Sequence, residues 1–242
     1  MEKAVLNWSG GKDSSLALYR ILQQKQFDVS CLLTSVNRKF QRISMHGVRV
    51  ELLHQQAESI GIPLVKLELD EMPDMESYDR EVGKMMAELK KSGATHSIFG
   101  DIFLEDLRKY REEKLEAAGW KGVFPLWKEP TDKLIHEFLD LGFKTVVTCV
   151  NEKYLDKSFA GRIIDEQFLK DLPANVDPCG ENGEFHTFVF DGPIFKKAID
   201  FSLGEIVHRK YERPKEDERP AFADEKDDPY YWEFYYADLI SG

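Results

Sequence analysis

Cysteine is scarce in this chain. Three occur among 242 residues, Cys31, Cys149 and Cys179, and no two of them form a Cys-x-x-Cys pair. Such spacing argues against a disulfide framework and against a structural zinc site. Cys31 and Cys149 fall in apolar, strand-like runs, where cysteine serves as a small core residue. Long apolar runs are also missing. No stretch approaches the roughly 20 residues of a membrane span, and Met1-Glu2-Lys3 leads straight into a strand pattern. The expected compartment is therefore the cytoplasm, with no membrane partner. Positive charge is in short supply. Against 44 Asp and Glu stand 33 Lys and Arg, a formal net charge of -11. The basic residues are mixed among the acids rather than gathered, which argues against a nucleic-acid partner. There is no internal repeat and no low-complexity run. At 42% hydrophobic, the chain suits one large α/β domain or two small ones sharing a face.

The most informative stretch comes first. Lys3-Ala4-Val5-Leu6 reads as a short buried strand, and Leu16, Leu18, Ile21 and Leu22 recur at helical spacing. Between them lies Ser9-Gly10-Gly11-Lys12-Asp13-Ser14. A glycine-rich turn at the carboxyl end of a strand is where open α/β sheets bind ligands. Gly10 and Gly11 let backbone amides converge on one anion, and the helix that follows adds its unpaired N–H groups and positive dipole end. Lys12 adds a point charge, and Ser9 and Ser14 add hydroxyl donors. Asp13 fits beside a phosphate as a helix cap or through a bridging Mg²⁺. The P-loop is excluded because Asp13 follows Lys12, and the dinucleotide fingerprint because Ser14 stands at its third glycine. The stretch resembles the pyrophosphate loop of the N-type ATP pyrophosphatases, enzymes that cleave ATP between its α and β phosphates and adenylate a substrate.

Strand and helix signals then alternate. Residues 27–35, 63–69 and 96–99 read as strands, and helices are expected near 50–60, 74–91, 103–118 and 131–142. The fold expected is α/β, a doubly wound parallel sheet of about five strands with helices on both faces. The fourth strand ends on Gly100-Asp101, which points a carboxylate at the rim of the first loop. Two readings of Asp101 stand level: a metal or ribose contact, and a cap for the helix that follows. Past Leu126 the pattern restarts. A smaller C-terminal α+β subdomain is expected there, giving parts 1–126 and 127–242, with Thr131 capping a helix. Residues 145–150 read as a fifth strand and 159–172 as mostly helical, and this second part is expected to extend the same sheet or to pack against its rim. Residues 209–229, dense in both charges, read as an exposed connector. The aromatic tail 230–236 is expected to fold back as an edge strand or to dock on a groove.

A second polar stretch, Asp177-Pro178-Cys179-Gly180-Glu181-Asn182-Gly183-Glu184-Phe185-His186-Thr187, precedes a strand. Such a density of polar groups beside glycine marks a ligand-binding loop. Glu181 and Glu184 suit binding an ammonium, taking a proton from an attacking amine, or holding Mg²⁺. His186 suits titration near neutral pH. An exposed hairpin loop with a satisfied histidine is the plain alternative. Cys179 is not backed as a nucleophile, since no base is spaced to serve it.

With both loops and Gly100-Asp101 in hand, the chain resembles the diphthine–ammonia ligase family, a branch of the ATP pyrophosphatases, over residues 4 to about 193. The resemblance implies a Rossmann-like domain of the PP-loop ATPase type, with ATP held by Ser9, Gly10, Gly11, Lys12, Asp13, Ser14 and Asp101. It implies catalytic roles for Glu181, Glu184 and His186, ATP and Mg²⁺ as cofactors, and ammonia and an acceptor carboxylate as partners. In the family that carboxylate is diphthine on translation elongation factor 2. No residue is assigned to a metal, and a homodimer is left open. Three rivals stay open: an amide ligase of a small metabolite, a tRNA-modifying enzyme with the same first loop, and a nucleotide-binding module without catalysis.

Overall fold

The computed structural model describes residues 1–43, 46–70, 75–212 and 231–242. The first half runs β1 (Glu2–Asn7), α1 (Lys12–Gln24), β2 (Phe27–Asn37), β3 (Arg42–Ile43), α2 (Val50–Ile60), β4 (Leu64–Leu69), α3 (Met75–Lys91), β5 (Ala94–Ile98), α4 (Glu105–Ala117) and β6 (Lys121–Val123). Five strands are parallel in the spatial order β4-β2-β1-β5-β6, and the two-residue β3 pairs antiparallel with the end of β2.

Alternation along β1 decides which helices lie where. Ala4 and Leu6 point to one face and pack with α1 and α2 through Leu16, Leu18, Leu52 and Leu53. Val5 points to the other and packs with Met86 of α3 and Leu115 of α4. The doubly wound, Rossmann-like sheet expected from the sequence is thus present, with β1 at its centre. Chain order reverses on either side of β1, so its carboxyl end is a topological switch point. The Ser9–Ser14 stretch leaves the sheet there.

The second half runs α5 (Thr131–Asp140), β7 (Lys144–Asn151), α6 (Glu166–Asp171), β8 (Phe185–Asp191), β9 (Phe201–Glu212) and β10 (Tyr231–Ser241). Its four strands form a separate antiparallel sheet in the order β8-β7-β10-β9. One continuous core joins the two sheets: Leu16, Ile21, Leu53, Leu134 and Phe138 pack in the same cluster as Val147, Phe188 and Leu239.

Four expectations change. Residues 145–150 do not extend the parallel sheet. They lie in β7 of the second sheet, and the fifth parallel strand is the three-residue β6. A run buried on both faces reads alike in either setting. Residues 159–172 are not mostly helical. Only α6 is, because Gly161 and Arg162 exchange backbone hydrogen bonds of 2.8 Å with Val147 and tie this stretch to β7. The tail is not at an edge, since β10 sits between β7 and β9. Of the expected connector, 209–212 belong to β9, while 213–229 and Tyr230 lie outside the described residues. Among the described residues no helix is long and apolar enough to cross a membrane.

Candidate functional site

The loop after β1 is held by serine hydroxyls and by close backbone packing, not by an N-cap side chain. Gly11 precedes α1 without a side-chain cap. The backbone amide of Gly11 donates to Ser9 Oγ at 3.2 Å, and the hydroxyls of Ser14 and Ser15 donate to the Gly11 carbonyl at 3.0 and 2.9 Å. Gly10 adopts φ +75°, open to glycine at no steric cost. Gly100 lies so close that a Cβ there would stand 2.9 Å from the Asp13 carbonyl carbon and 3.0 Å from the Ser14 nitrogen. The Gly100-Asp101 step noticed in the sequence thus has a steric reason: β5 ends against the first turn of α1.

The second loop meets the first across this point, although about 170 residues separate them. Lys12 N donates to Thr187 Oγ1 at 3.0 Å. The Lys12 ammonium lies 5.8 Å from the centre of the Phe185 ring and donates to both oxygens of Asp13 at 2.7 Å. The Lys12 side chain is buried, which pulls its pKa down, but Asp13, Cys179 and Glu181 outweigh this and raise it. It is a fixed cation. Burial pushes the Asp13 carboxyl up against the opposing pull of Lys12.

Within the second loop the carboxylates divide. Glu184 is buried and accepts from Asp177 N at 3.0 Å, Asn182 N at 2.8 Å and Asn182 Nδ2 at 3.0 Å. Its oxygens shape the turn. Asp177 does the same from the other end, accepting from Cys179 N at 2.8 Å and from the Thr131 hydroxyl at 2.6 Å. Thr131 therefore does not cap α5; its hydroxyl reaches the loop instead. No described residue bonds to the carboxylate of Glu181. Burial first, then Asp13, Asp101 and Asp177, push that group up to about 8 despite Lys12. Glu181 thus lies within electrostatic reach of Asp13, Lys12, Asp101 and Asp177.

Asp101 accepts from Arg111, whose guanidinium lies 4.5 Å from the Phe99 ring. Leu104, not Asp101, precedes α4 as its cap residue, so the cap reading falls away. His186 lies within β8 and stacks on His46 with ring centres 4.2 Å apart. Burial, then Lys12, pull it down to about 4. It is neutral at pH 7 and does not titrate near neutrality as its sequence context implied. His46 is lowered as well by burial, His186 and Lys12, and its Nδ1 is buried with no partner among the described residues. Burial pushes the Cys179 thiol up, and it donates to the Thr131 carbonyl at 3.4 Å, which suits a core thiol.

Four contributors escape sequence reasoning: His46, Thr131, Thr187 and Gln56, whose buried amide bonds the Trp8 indole and the Gly10 carbonyl. Only Thr187 lay inside a stretch singled out for chemistry. Gln56 bore the one available signal, an amide on the apolar stripe of α2 between Leu53 and Ala57.

The diphthamide synthase N-terminal domain model matches residues 1–122, and the diphthamide synthase C-terminal domain model matches residues 130–214. The chain belongs to the diphthamide synthase family. Its match to the diphthine–ammonia ligase of Schizosaccharomyces pombe is 31% identical over 100 residues, 40% of this chain and 16% of that one. The Bos taurus diphthine–ammonia ligase is 27% identical over 153 residues, 61% of this chain and 55% of that one. The human protein of the same name is 27% identical over 148 residues, covering 59% and 53%. The matched region thus spans about half the length of the vertebrate relatives and far less of the yeast one. In the family's terms, the first loop lies in the N-terminal model and the second in the C-terminal model, and the contact between Lys12 and Thr187 joins the two.

Proposed function

We propose that this chain is an ATP-dependent amide ligase that adenylates an acceptor carboxylate and then amidates it with ammonia, releasing AMP and pyrophosphate. The observation that carries the reading is the hydrogen bond from Lys12 N to Thr187 Oγ1, which brings the glycine-rich loop 9–14 and the polar loop 177–187 to one place. The relatives' names supply the acceptor: diphthine, by likeness alone. The cytoplasm is the proposed compartment.

In the first step an acceptor carboxylate oxygen attacks the α phosphorus, and the bond to the bridging oxygen of pyrophosphate breaks. The Gly10, Gly11 and α1 amides, with Lys12, face the charge that grows on the leaving group. The phosphate displaces the Lys12 ammonium from its bidentate hold on Asp13. In the second step ammonia attacks the acyl carbon, AMP leaves, and the nitrogen sheds a proton. We assign that proton to Glu181, because its carboxylate is bonded to no described residue and a carboxyl titrating near 8 is populated in both forms around neutral pH. Glu184 acts through the shape of the loop. His186, neutral against His46, offers a ring nitrogen without a charge. We assign the adenine to the end of β2, around Ser35 and Val36.

Asp13 and Asp101 carry the hard oxygen atoms that Mg²⁺ takes and, with the phosphates of ATP, would hold it beside the loop. When bound it supplies neutralisation of phosphate charge. The test is to incubate the protein with ATP, ammonium and candidate acceptors and to follow AMP, ADP and amide together. AMP and amide in equal amounts support the reading, while ADP formation or acceptor-independent hydrolysis overturns it.

A further inference from the structure

Gln56 lies on α2, outside the groups that meet reactants in the scheme above, yet its side chain is fully buried at 0% exposure. Its Nε2 donates to the Gly10 carbonyl at 3.0 Å and to the Val189 carbonyl at 2.6 Å. Its Oε1 accepts from the Trp8 indole at 2.9 Å. One amide therefore joins the residue that enters the loop, the first glycine of the loop, and strand β8 of the second sheet. Val189 N donates to the same Gly10 carbonyl at 2.9 Å.

Of the other buried side chains of α2, Val50, Leu52, Leu53 and Ala57 are apolar, and Ser59 donates away from the loop to the Lys197 carbonyl at 2.6 Å. A buried amide costs stability unless its hydrogen bonds are made, and an apolar residue of equal volume would fill the same space. The effect of this amide on the loop follows from peptide geometry. A trans peptide is planar, so its C=O and N–H point to opposite sides. With the Gly10 carbonyl tied back to Gln56 and Val189, the Gly11 N–H must aim the other way, toward Ser9 Oγ and the inside of the loop. Gln56 also packs directly on Gly10: a Cβ there would stand 2.8 Å from Gln56 Oε1.

We propose that Gln56 is a positioning residue for the nucleotide phosphates: it fixes the plane of the Gly10–Gly11 peptide and keeps the Gly11 amide aimed into the anion site. The proposal rests on the nucleotide-binding part of the function given above. Because Val189 shares the Gly10 carbonyl, the same joint makes the second sheet part of the phosphate site.

The experiment measures binding of ATP, inorganic pyrophosphate and adenosine by calorimetry to the parent, Gln56→Met and Gln56→Glu, with folding checked by thermal scans. Gln56→Met keeps the volume and removes the donor. It should weaken ATP and pyrophosphate by about tenfold, the scale of one hydrogen bond, and leave adenosine within twofold. A merely structural role would not separate phosphate from nucleoside. Gln56→Glu adds a pH profile. Protonated, it still donates to one carbonyl; ionised, it repels both. Its pyrophosphate affinity should fall with rising pH more steeply than the parent's. The groups facing this position are the Trp8 indole and the Gly10 and Val189 carbonyls, none of which titrates between pH 6 and 9. If Gln56→Met does not fold, Trp8→Phe, which frees one end of the amide, should show a smaller loss confined to the phosphate probes. Folded variants that bind pyrophosphate within twofold of the parent overturn the positioning role alone. A parent that binds neither ATP nor pyrophosphate overturns the nucleotide reading and this inference with it.

Discussion

Replacing Gly100 with alanine should damage the loop from outside it. The new Cβ would stand 2.9 Å from the Asp13 carbonyl carbon, 3.0 Å from Ser14 N and 3.1 Å from the Asp13 oxygen. Carbon contacts settle at about 3.5–4.0 Å, so β5 and the start of α1 must part by about half an ångström. Both partners are backbone, and no rotamer change relieves the clash. Overpacking of this kind costs about 1–3 kcal/mol. At about 2–4 °C per kcal/mol for a chain of this size, the thermal midpoint should fall by roughly 2–12 °C. The first-turn peptides of α1 are the ones displaced, so the rise in midpoint caused by added ATP should shrink too. Gly83 is the control: it lies in α3 with nothing within 4 Å of an added Cβ. Gly83→Ala should stabilise by about 0.5–1 kcal/mol, because helical glycine carries an entropic cost. The assay is a thermal scan of both variants with and without ATP. A Gly100→Ala protein with the parent's midpoint and the parent's response to ATP would refute the steric argument.

Lys12→Ala should weaken ATP by roughly 10- to 100-fold in calorimetry, the range for losing a charged hydrogen-bonding partner, whereas Lys90→Ala on the surface of α3 should leave it unchanged. Glu181→Gln should keep ATP binding and slow amide formation by about 10²- to 10⁴-fold, the range of a lost general base. A carboxyl raised to about 8 binds its proton more tightly folded than unfolded, so its contribution to stability is greatest below about pH 4.5 and is lost as pH rises toward 8. Thermal scans from pH 5 to 9 should accordingly show the parent falling relative to Glu181→Gln. Glu184→Gln sets an amide NH₂ against a site where three donors converge. It should lower the midpoint at every pH and slow amide formation while ATP binding persists; unchanged stability would contradict the loop-shaping role.

What was legible in the sequence was local. Strand, glycine turn and helix between Lys3 and Leu22 follow from apolar spacing and from glycine's conformational range, and both loops stood out because polar residues crowd beside glycine. What was not legible depends on distant partners. β6 is three residues long and includes Gly122, so it gives no periodic signal; its place is set by pairing with β5. The apolar spacing between Phe159 and Leu172 mimics a helix, but Val147 claims the backbone of Gly161 and Arg162. Alternation along the aromatic tail fits an edge strand and an interior strand equally well. At the site, the sequence weighted Glu181 and Glu184 alike. Only the fold reveals that three donors converge on one of them and none of the described groups on the other.

The place of β10 bears on how the chain is made. Among the described residues β9 joins the second sheet only through β10, by ten paired positions from Phe201 to Glu212. While the chain leaves the ribosome, β7 and β8 can pair as soon as both have emerged, but β9 has no partner until residues 231–241 follow. During that interval a twelve-residue strand presents open backbone and the exposed side chains of Leu203, Ile206 and Tyr211. Unpaired strands of this kind are where nascent chains associate wrongly. Synthesis that stalls after Glu212 would therefore release an aggregation-prone intermediate rather than a merely shortened protein.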